Sequence, residues 1–241
     1  MHLAAYYEMV TQIDRELGAI MQTLESTGLA EDTLVVFTSD NGLALGRHGL
    51  MGKQNVYEHS IGIPLIVAGP GVASGQRTNA PVYVHDIFPS VMSYLDLPIP
   101  ASVTGLSFSD AFSGSYDEPK RRTRVHAYKN FQRALVDFPY KLIAYNVGSE
   151  QDTRVQLFNL AEDPEEANDL SGLSDLSSTI DSMLARMQSE QAAAGDLARF
   201  DQDNWSLPRI NSWVEYMRAN EPEQLLNLRR MAEEERTQFS F

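Results

Sequence analysis

The sequence contains no cysteine among its 241 residues. Disulfide bonds, thiolate metal sites and a cysteine nucleophile are therefore excluded for this chain. No apolar run reaches the roughly 18 residues that a membrane-spanning helix needs, so we expect no membrane span. The first residues, MHLAAYYEMV, also lack the basic start and continuous apolar core of a signal peptide, and the sequence leaves the localisation open.

Basic residues are scarce relative to acidic ones. The chain has 19 Lys and Arg against 33 Asp and Glu, which gives a formal net charge of -14. A partner that carries phosphates would be repelled at long range, so broad binding to nucleic acid or to anionic membranes is not expected. The 43% of hydrophobic residues is enough for a buried core.

The first part of the chain carries the pattern of an α/β domain. Apolar side chains recur at helical spacing at positions 10, 13, 17, 20 and 24, and Gly28 follows as a helix stop. Buried strands are predicted at LVVF (34–37) and within IPLIVAGPGV (63–72). Short apolar strands that follow helices are typical of a parallel sheet. We therefore expect a partial parallel sheet flanked by helices over residues 1–115.

The second part changes to short alternating runs over residues 122–159, which predict a small antiparallel sheet. A helix is predicted over 177–193, with Ile180, Met183, Leu184 and Met187 on one side. Residues 116–200 should thus form an antiparallel α+β C-terminal subdomain. Residues 201–241 are predicted to be a helical tail.

The segment TSDNGLALGRHGLMGK (38–53) leaves the end of the first predicted strand, where open α/β sheets place their ligands. Asp40 offers a carboxylate and Asn41 an amide oxygen, two hard ligands that suit Ca²⁺ or Mg²⁺. Gly42 would let the chain curl so that both reach one ion. The same Asp-Asn-Gly is also typical of a tight turn, and that reading stays open.

Two basic side chains of this segment suit an anion beside the cation. Lys53 carries a compact positive charge that can grip a tetrahedral oxyanion. His48 could donate to the same anion or move a proton near neutral pH. Tyr57 and Glu58 are expected to fix the loop that presents Lys53. His126, in contrast, is expected to be an exposed strand histidine.

The whole arrangement resembles the second half of a type I sulfatase of the alkaline phosphatase superfamily, similar to the arylsulfatases. The resemblance rests on LVVFTSDNG, on GLMGKQNVYEHSIGIPLIVAGPGV and on VQLFNLAEDPEEANDL, and it covers about residues 1–195. It implies that Asp40 and Asn41 are ligands of the family's single Ca²⁺, in preference to Mg²⁺. It further implies that Lys53 contacts the sulfate, and the chemistry of His48 makes it the second candidate for that contact.

The family's nucleophile motif is missing, because no C/S-x-P-S-R occurs in the sequence. In the family this motif supplies a formylglycine that attacks sulfur. The tandem acidic ligands that precede it in the family are absent as well. The expectation is therefore a sulfatase fragment that carries part of the site, needs the N-terminal half of the domain and is inactive alone. Such a fragment would expose an unpaired sheet edge and apolar helix surface.

Three functions stay open at this point. The first is hydrolysis of a sulfate ester, either of a small molecule or of a sulfated saccharide. The second is a phosphodiesterase or phosphonate monoester hydrolase of the same superfamily, although Asn41 stands where several of those relatives have His. The third is a non-catalytic binding or assembly module that has kept the fold.

Overall fold

The structure, a computed structural model, describes residues 3–114, 120–129, 131–145 and 154–196. In these ranges the helices are α1 Leu3–Ser26, α2 Glu58–Ile61, α3 Ile87–Tyr94 and α4 Ser177–Ala193. The strands are β1 Val35–Thr38, β2 Leu65–Ala68, β3 Arg124–Tyr128, β4 Gln132–Asp137, β5 Tyr140–Tyr145 and β6 Arg154–Asn159. None of these helices combines the length and apolarity that a bilayer crossing demands. The predicted helical tail 201–241 lies outside the described residues.

Helix α1 forms where the helical spacing predicts it and stops before Gly28, whose φ of 73° suits a residue without a side chain. The helix has no buried residue. Its apolar side chains are open to solvent, with Val10 46%, Ile13 54% and Ile20 56% exposed. The apolar stripe that formed the basis of the prediction therefore faces no core in the described part of the chain.

Strands β1 and β2 form a two-stranded sheet in which they run antiparallel, with Thr38 opposite Leu65 and Val35 opposite Ala68. The expected parallel arrangement of these two strands is wrong. A parallel pair requires a crossover that returns the chain to the starting end of the first strand. The connection here contains only the helical turn at 47–49 and the one-turn helix α2, so β2 begins at the end where β1 stops.

The four later strands form the antiparallel sheet predicted from the alternating runs, in the order β3-β4-β5-β6. Neighbouring strands are joined in sequence, and β4 and β5 occupy the centre. The central residues have almost no exposed surface, as in Leu135, Leu142 and Ile143. Small and apolar side chains on both faces of β4 and β5 are what a sheet covered on both sides needs.

Helix α4 covers one face of this sheet and spans 177–193 as predicted. Its buried apolar side chains are Ile180, Met183 and Met187, while the predicted Leu184 is only half-buried. Arg186 on the helix donates to the Asp137 carboxylate on β4 at 2.9 Å. These contacts define the side of the sheet away from the candidate site.

The opposite face is covered by the chain around α2. Val56 and Tyr57 form a buried cluster with Ala134, Ile143 and Phe158, which come from β4, β5 and β6. Side chains alternate between the two faces of a strand, so these sheet residues point away from α4. The antiparallel sheet is therefore the support on which the segment after Lys53 packs.

Asp86, just before α3, holds a third region in place. Its buried carboxylate accepts the backbone N–H groups of Tyr83 and Leu106, each at 2.8 Å, and the guanidinium of Arg121 at 3.1 Å. Pro89 lies in the first turn of α3, where its missing N–H has no helical partner to lose. Asp86 thus ties the start of α3 to two loops.

Candidate functional site

The candidate site lies on the segment that connects β1 to β2. Gly42 lies against α2, and its N–H donates to the Ser60 carbonyl at 2.9 Å. A Cβ atom at position 42 would lie 2.1 Å from the His59 carbonyl oxygen. Only glycine allows this approach of two backbones. The turn after Asn41 is thereby fixed against α2.

The structure brings Asp40, Asn41 and Lys53 together, as the sequence predicted. The Lys53 ammonium donates to Asn41 Oδ1 at 2.5 Å and lies 3.8 Å from Asp40 Oδ2. Both charged side chains face solvent, Asp40 83% and Lys53 48% exposed. The three groups therefore form an open, polar cluster at the end of β1.

These contacts bear on whether the pair of oxygens can hold a cation. The Lys53 ammonium already places one positive charge against Asn41 Oδ1 and near Asp40 Oδ2. Carboxylate and amide oxygens are the donors that Ca²⁺ takes. Within the described residues, no group of three or more His, Cys, Asp or Glu is placed to hold a metal ion. Asp40 and Asn41 thus fit a hard cation, but only as part of its ligand set.

His48 lies on another side of the loop. Its ring stacks on Tyr57, with ring centres 4.1 Å apart and planes 8° from parallel. Its Nε2 lies 3.1 Å from the Glu165 carbonyl oxygen, to which it donates in the Nε2–H tautomer. The neighbouring Arg47 pairs with the Glu165 carboxylate at 2.6 Å. In the described part of the chain His48 makes no hydrogen bond to Lys53, Asp40 or Asn41.

Tyr57 anchors this loop on the sheet through a cluster of polar side chains. The Tyr145 hydroxyl donates to the Tyr57 hydroxyl at 2.8 Å and approaches Gln156 Oε1 at 2.6 Å. Burial raises the pKa of Tyr145 above its ordinary value, and the hydrogen bond to Tyr57 adds to the rise. The Tyr145 phenol therefore stays neutral near physiological pH and acts as a hydrogen-bonding group.

Glu58 is anchored by charges that the sequence analysis did not identify. Lys141 Nζ lies 3.0 Å from Glu58 Oε1 and 2.6 Å from Glu166 Oε1. The Lys141 side chain is 0% exposed and that of Glu166 1%. Burial raises the pKa of Glu166, and the nearby Lys141 opposes that rise. The one available signal was a lysine within the otherwise apolar strand YKLIAY (140–145).

A cavity of about 320 Å³ lies beside the same segment, between the end of β1, α2 and strand β3. Its polar lining includes Thr38, Glu58, Arg124 and His126. His126 Nε2 is buried and has no hydrogen-bond partner among the described residues. Burial, together with the charges of Lys141 and Arg124, lowers the pKa of His126 to about 3. The expectation of an exposed His126 is wrong because this strand face turns towards the cavity.

The family model described as Sulfatase matches residues 2–97. Arylsulfatase K from Xenopus laevis is 33% identical over 181 residues, which cover 70% of this chain and 33% of the relative. Arylsulfatase K from Bos taurus is 25% identical over 94% of this chain and 43% of the relative.

A further relative is an ulvan-active sulfatase from Formosa agariphila, 26% identical over 87% of this chain and 42% of the relative. The chain thus spans less than half the length of these curated relatives.

Solved structures share the fold. A protein solved in complex with its substrate D-glucosamine-2-N,6-O-disulfate superposes with a TM-score of 0.71 at 21% identity, covering 79% of this chain and 40% of that one. A phosphonate monoester hydrolase from Agrobacterium radiobacter superposes with a TM-score of 0.68 at 23% identity, covering 78% and 40%. The predicted fold, of the alkaline phosphatase and sulfatase type with an antiparallel C-terminal part, is confirmed.

Proposed function

The chain belongs to the sulfatase family, whose C-terminal part it matches, and from this we propose that it supplies part of the cation and sulfate site of a sulfuric ester hydrolase. The observation that carries the proposal is the meeting of Lys53 with Asn41 and Asp40 at the end of β1. A cationic side chain and two hard oxygen donors are the groups that a sulfate ester and its metal ion require.

In this proposal Asp40 and Asn41 are ligands of a Ca²⁺ ion. Ca²⁺ takes about six to eight oxygen ligands in irregular geometry, so other residues, substrate and water would complete the set. Mg²⁺ fits less well, because it demands near-ideal octahedral geometry. When bound, the ion would supply positive charge against a sulfate oxygen as negative charge develops there.

Lys53 is the proposed sulfate contact. Its side chain is half exposed, so the ammonium can turn from Asn41 to a bound sulfate without leaving a core. There it would hold a tetrahedral oxyanion in place by charge-assisted hydrogen bonds. His48 stays a predicted second contact, and it would have to leave its stack on Tyr57 and its bond to Glu165 to move a proton at the sulfate.

In this proposal the attacking group comes from outside this sequence, since no C/S-x-P-S-R motif occurs in it. We propose that a formylglycine on the N-terminal part of the family domain supplies it. The 241-residue chain alone would then bind but not hydrolyse a sulfate ester.

The proposed substrate class is a sulfate ester, either a small molecule or a sulfated saccharide. Support comes from two similar proteins: one relative is an ulvan-active sulfatase, and one fold neighbour was solved with a disulfated glucosamine. The second candidate is a phosphonate monoester hydrolase, which the likeness to two such enzymes favours at the level of the fold. The third is a non-catalytic module.

Coexpression separates these candidates. The chain is produced together with the N-terminal part of an arylsulfatase K relative that carries the nucleophile motif, and the purified pair is assayed with an aryl sulfate and an aryl phosphonate. We expect calcium-dependent turnover of the sulfate by the pair and none by either part. Lys53→Ala and Asp40→Asn should each lower kcat/KM by at least about a hundredfold, a loss typical of removing one preorganised charge.

Lys129→Ala and Asp32→Asn are the matched controls, because both residues are exposed and neither belongs to the candidate site. Preferred turnover of the phosphonate would support the second candidate. An assembled pair that hydrolyses neither ester would contradict the proposal and leave the non-catalytic module.

A further inference from the structure

Lys141 is a charged residue in the centre of the antiparallel sheet. It lies on β5 and pairs with Val136 on β4 and Phe158 on β6. The side chain has no exposed surface. Burying an ammonium group is unfavourable unless good partners compensate, so its surroundings must supply them.

Its partners come from two loops that are far apart in sequence. Glu58 begins α2, and Glu166 lies in the acidic loop after β6. Lys141 Nζ contacts both carboxylates, at 3.0 Å and 2.6 Å. The second Glu166 oxygen, Oε2, accepts the Glu58 backbone N–H at 2.6 Å. Side chain and backbone of Glu58 are thus both held by the same buried group of charges.

The acidic loop that presents Glu166 is itself fixed. The Asp163 carboxylate accepts the backbone N–H groups of Ala167 at 3.1 Å and Asn168 at 2.7 Å. Glu166 adopts a φ of 57°, a conformation that a residue with a side chain takes only when its contacts require it. Its carboxylate is therefore presented to Lys141 by a rigid turn.

Glu58 is connected to the candidate site through α2. Glu58 and Ser60 belong to the same helical turn, and the Ser60 carbonyl accepts the Gly42 N–H at 2.9 Å. Asn41, next in the chain to Gly42, accepts the hydrogen bond of Lys53. A shift of α2 would therefore move the backbone that carries Asp40 and Asn41.

We propose that Lys141 is a positioning residue, which holds α2 through Glu58 and Glu166 and thereby sets the place of the Asp40, Asn41 and Lys53 cluster. That this cluster binds cation and sulfate rests on the proposed function, whereas the positioning itself does not. Removal of Lys141 leaves two carboxylates facing each other without a cation, which should push Glu58 and Glu166 apart.

Amide hydrogen exchange on the 241-residue chain tests the proposal without any enzymatic assay. In Lys141→Met we expect exchange at the Glu58 and Gly42 amides to rise at least about tenfold. The amides that pair Leu135 with Leu142 in the sheet should change about threefold or less. A general loss of stability would instead raise exchange at all four amides together.

Three further variants complete the experiment. Lys129→Met, at an exposed lysine, should change none of these amides. The triple variant Lys141→Met, Glu58→Gln, Glu166→Gln removes all three charges, and we expect it to recover protection at Gly42. If Lys141→Met does not fold, Glu58→Gln is the test, because Glu58 is 30% exposed and its neutral amide keeps the size of the side chain.

Equal changes at Gly42 and in the sheet, or none at Gly42, would overturn the positioning role. Failure of the sulfatase proposal would leave the exchange pattern unchanged, so the two results can be told apart.

Discussion

Gly42 lies where two stretches of backbone come closest in the candidate site. Its Cα faces the His59 carbonyl, and its N–H bonds to Ser60. The sequence suggested that glycine was needed for an unusual conformation, but the structure gives close approach as the reason. The residue is thus required by its neighbour in space rather than by its own φ and ψ.

Replacing this glycine by alanine tests that reason. Gly42→Ala places a methyl group 2.1 Å from a backbone oxygen, so α2 or the turn must move. We expect a loss of about 1–3 kcal/mol in the free energy of unfolding, as for other overpacked positions. Urea unfolding followed by circular dichroism measures the change.

Gly18→Ala is the matched control, since nothing lies within 4 Å of a Cβ at that position in α1. There alanine should stabilise by about 0.5–1 kcal/mol through better helix propensity. Equal stability of Gly42→Ala and the parent chain would refute the close approach.

His126 should make the stability of the chain depend on pH. Its pKa is about 3 in the folded state and near the ordinary value of 6.5 in the unfolded chain. Between these values the unfolded state binds more protons, so stability is fully present above about pH 6.5 and falls as the pH drops. At pH 4.5 the loss should be of the order of 2 kcal/mol.

The variant His126→Gln isolates this effect from the carboxylates that also titrate in acid. Unfolding free energies of the two proteins are measured in urea from pH 7.5 to 4.5. The difference between parent and variant should shrink or reverse towards low pH. A difference that stays constant over this range would show that His126 is not shielded from protons.

Single residues also show where sequence reasoning works and where it stops. Asp40, Asn41 and Lys53 were predicted to share one site because their chemical types match one task and their chain positions follow a strand end, and the structure places them together. Lys141 was not found, since a lysine in a strand is usually exposed on one face. Only the fold reveals that Glu58 and Glu166 meet it there.

At the scale of elements, α1 was predicted correctly as a helix, but the helical spacing did not predict its exposure to solvent. Its helical spacing predicted a helix with one apolar side, and the structure contains that helix with the apolar side in solvent. Periodicity reports which side of a helix is apolar, but it does not report what covers that side.

The exposed stripe of α1 should make the isolated chain associate. Ile13 and Ile20 are 54% and 56% exposed, and contiguous apolar surface of this kind promotes association in water. Ile13→Glu together with Ile20→Glu should lower the apparent mass measured by light scattering at least about twofold, towards the monomer's 26.9 kDa.

Thr11→Glu adds charge on the polar side of the same helix and serves as the control, with no expected change in association. A parent chain that is monodisperse and monomeric at every concentration would contradict this reading of α1.

The strands show the opposite case. The predicted first strand differs from β1 by one residue, and the predicted start of the second differs from that of β2 by two residues. The predicted relative direction of the two strands was wrong. The prediction that both strands are buried was also wrong, since every residue of β1 is only partly buried and Ile66 on β2 is 60% exposed. Apolar runs locate strands, but direction depends on the path of the connection. The antiparallel sheet of β3 to β6 was predicted correctly because the stretches between the alternating runs have too few residues for the crossover that a parallel pair needs.

At the scale of the whole molecule, the family resemblance and the residue chemistry both place the candidate site at the same end of the β1 and β2 pair. The sequence predicted an α/β part, an antiparallel part and a site on the first, and the fold neighbours confirm that class. It did not predict that the second part supports the first. Tyr57 and Glu58 are held by Tyr145 and Lys141, contacts made across long stretches of chain.

The antiparallel pairing of Thr38 with Leu65 has one more consequence. Both ends of the segment that carries the candidate site are tied together by the ladder, so the segment is a closed loop. Extending a closed loop changes its closure entropy only slowly, by about 0.6 kcal/mol for each doubling of length. Insertions at the exposed Leu50 and Met51 would therefore change the surface that the loop presents to solvent, while Asp40 and Asn41 keep their place beside the strand.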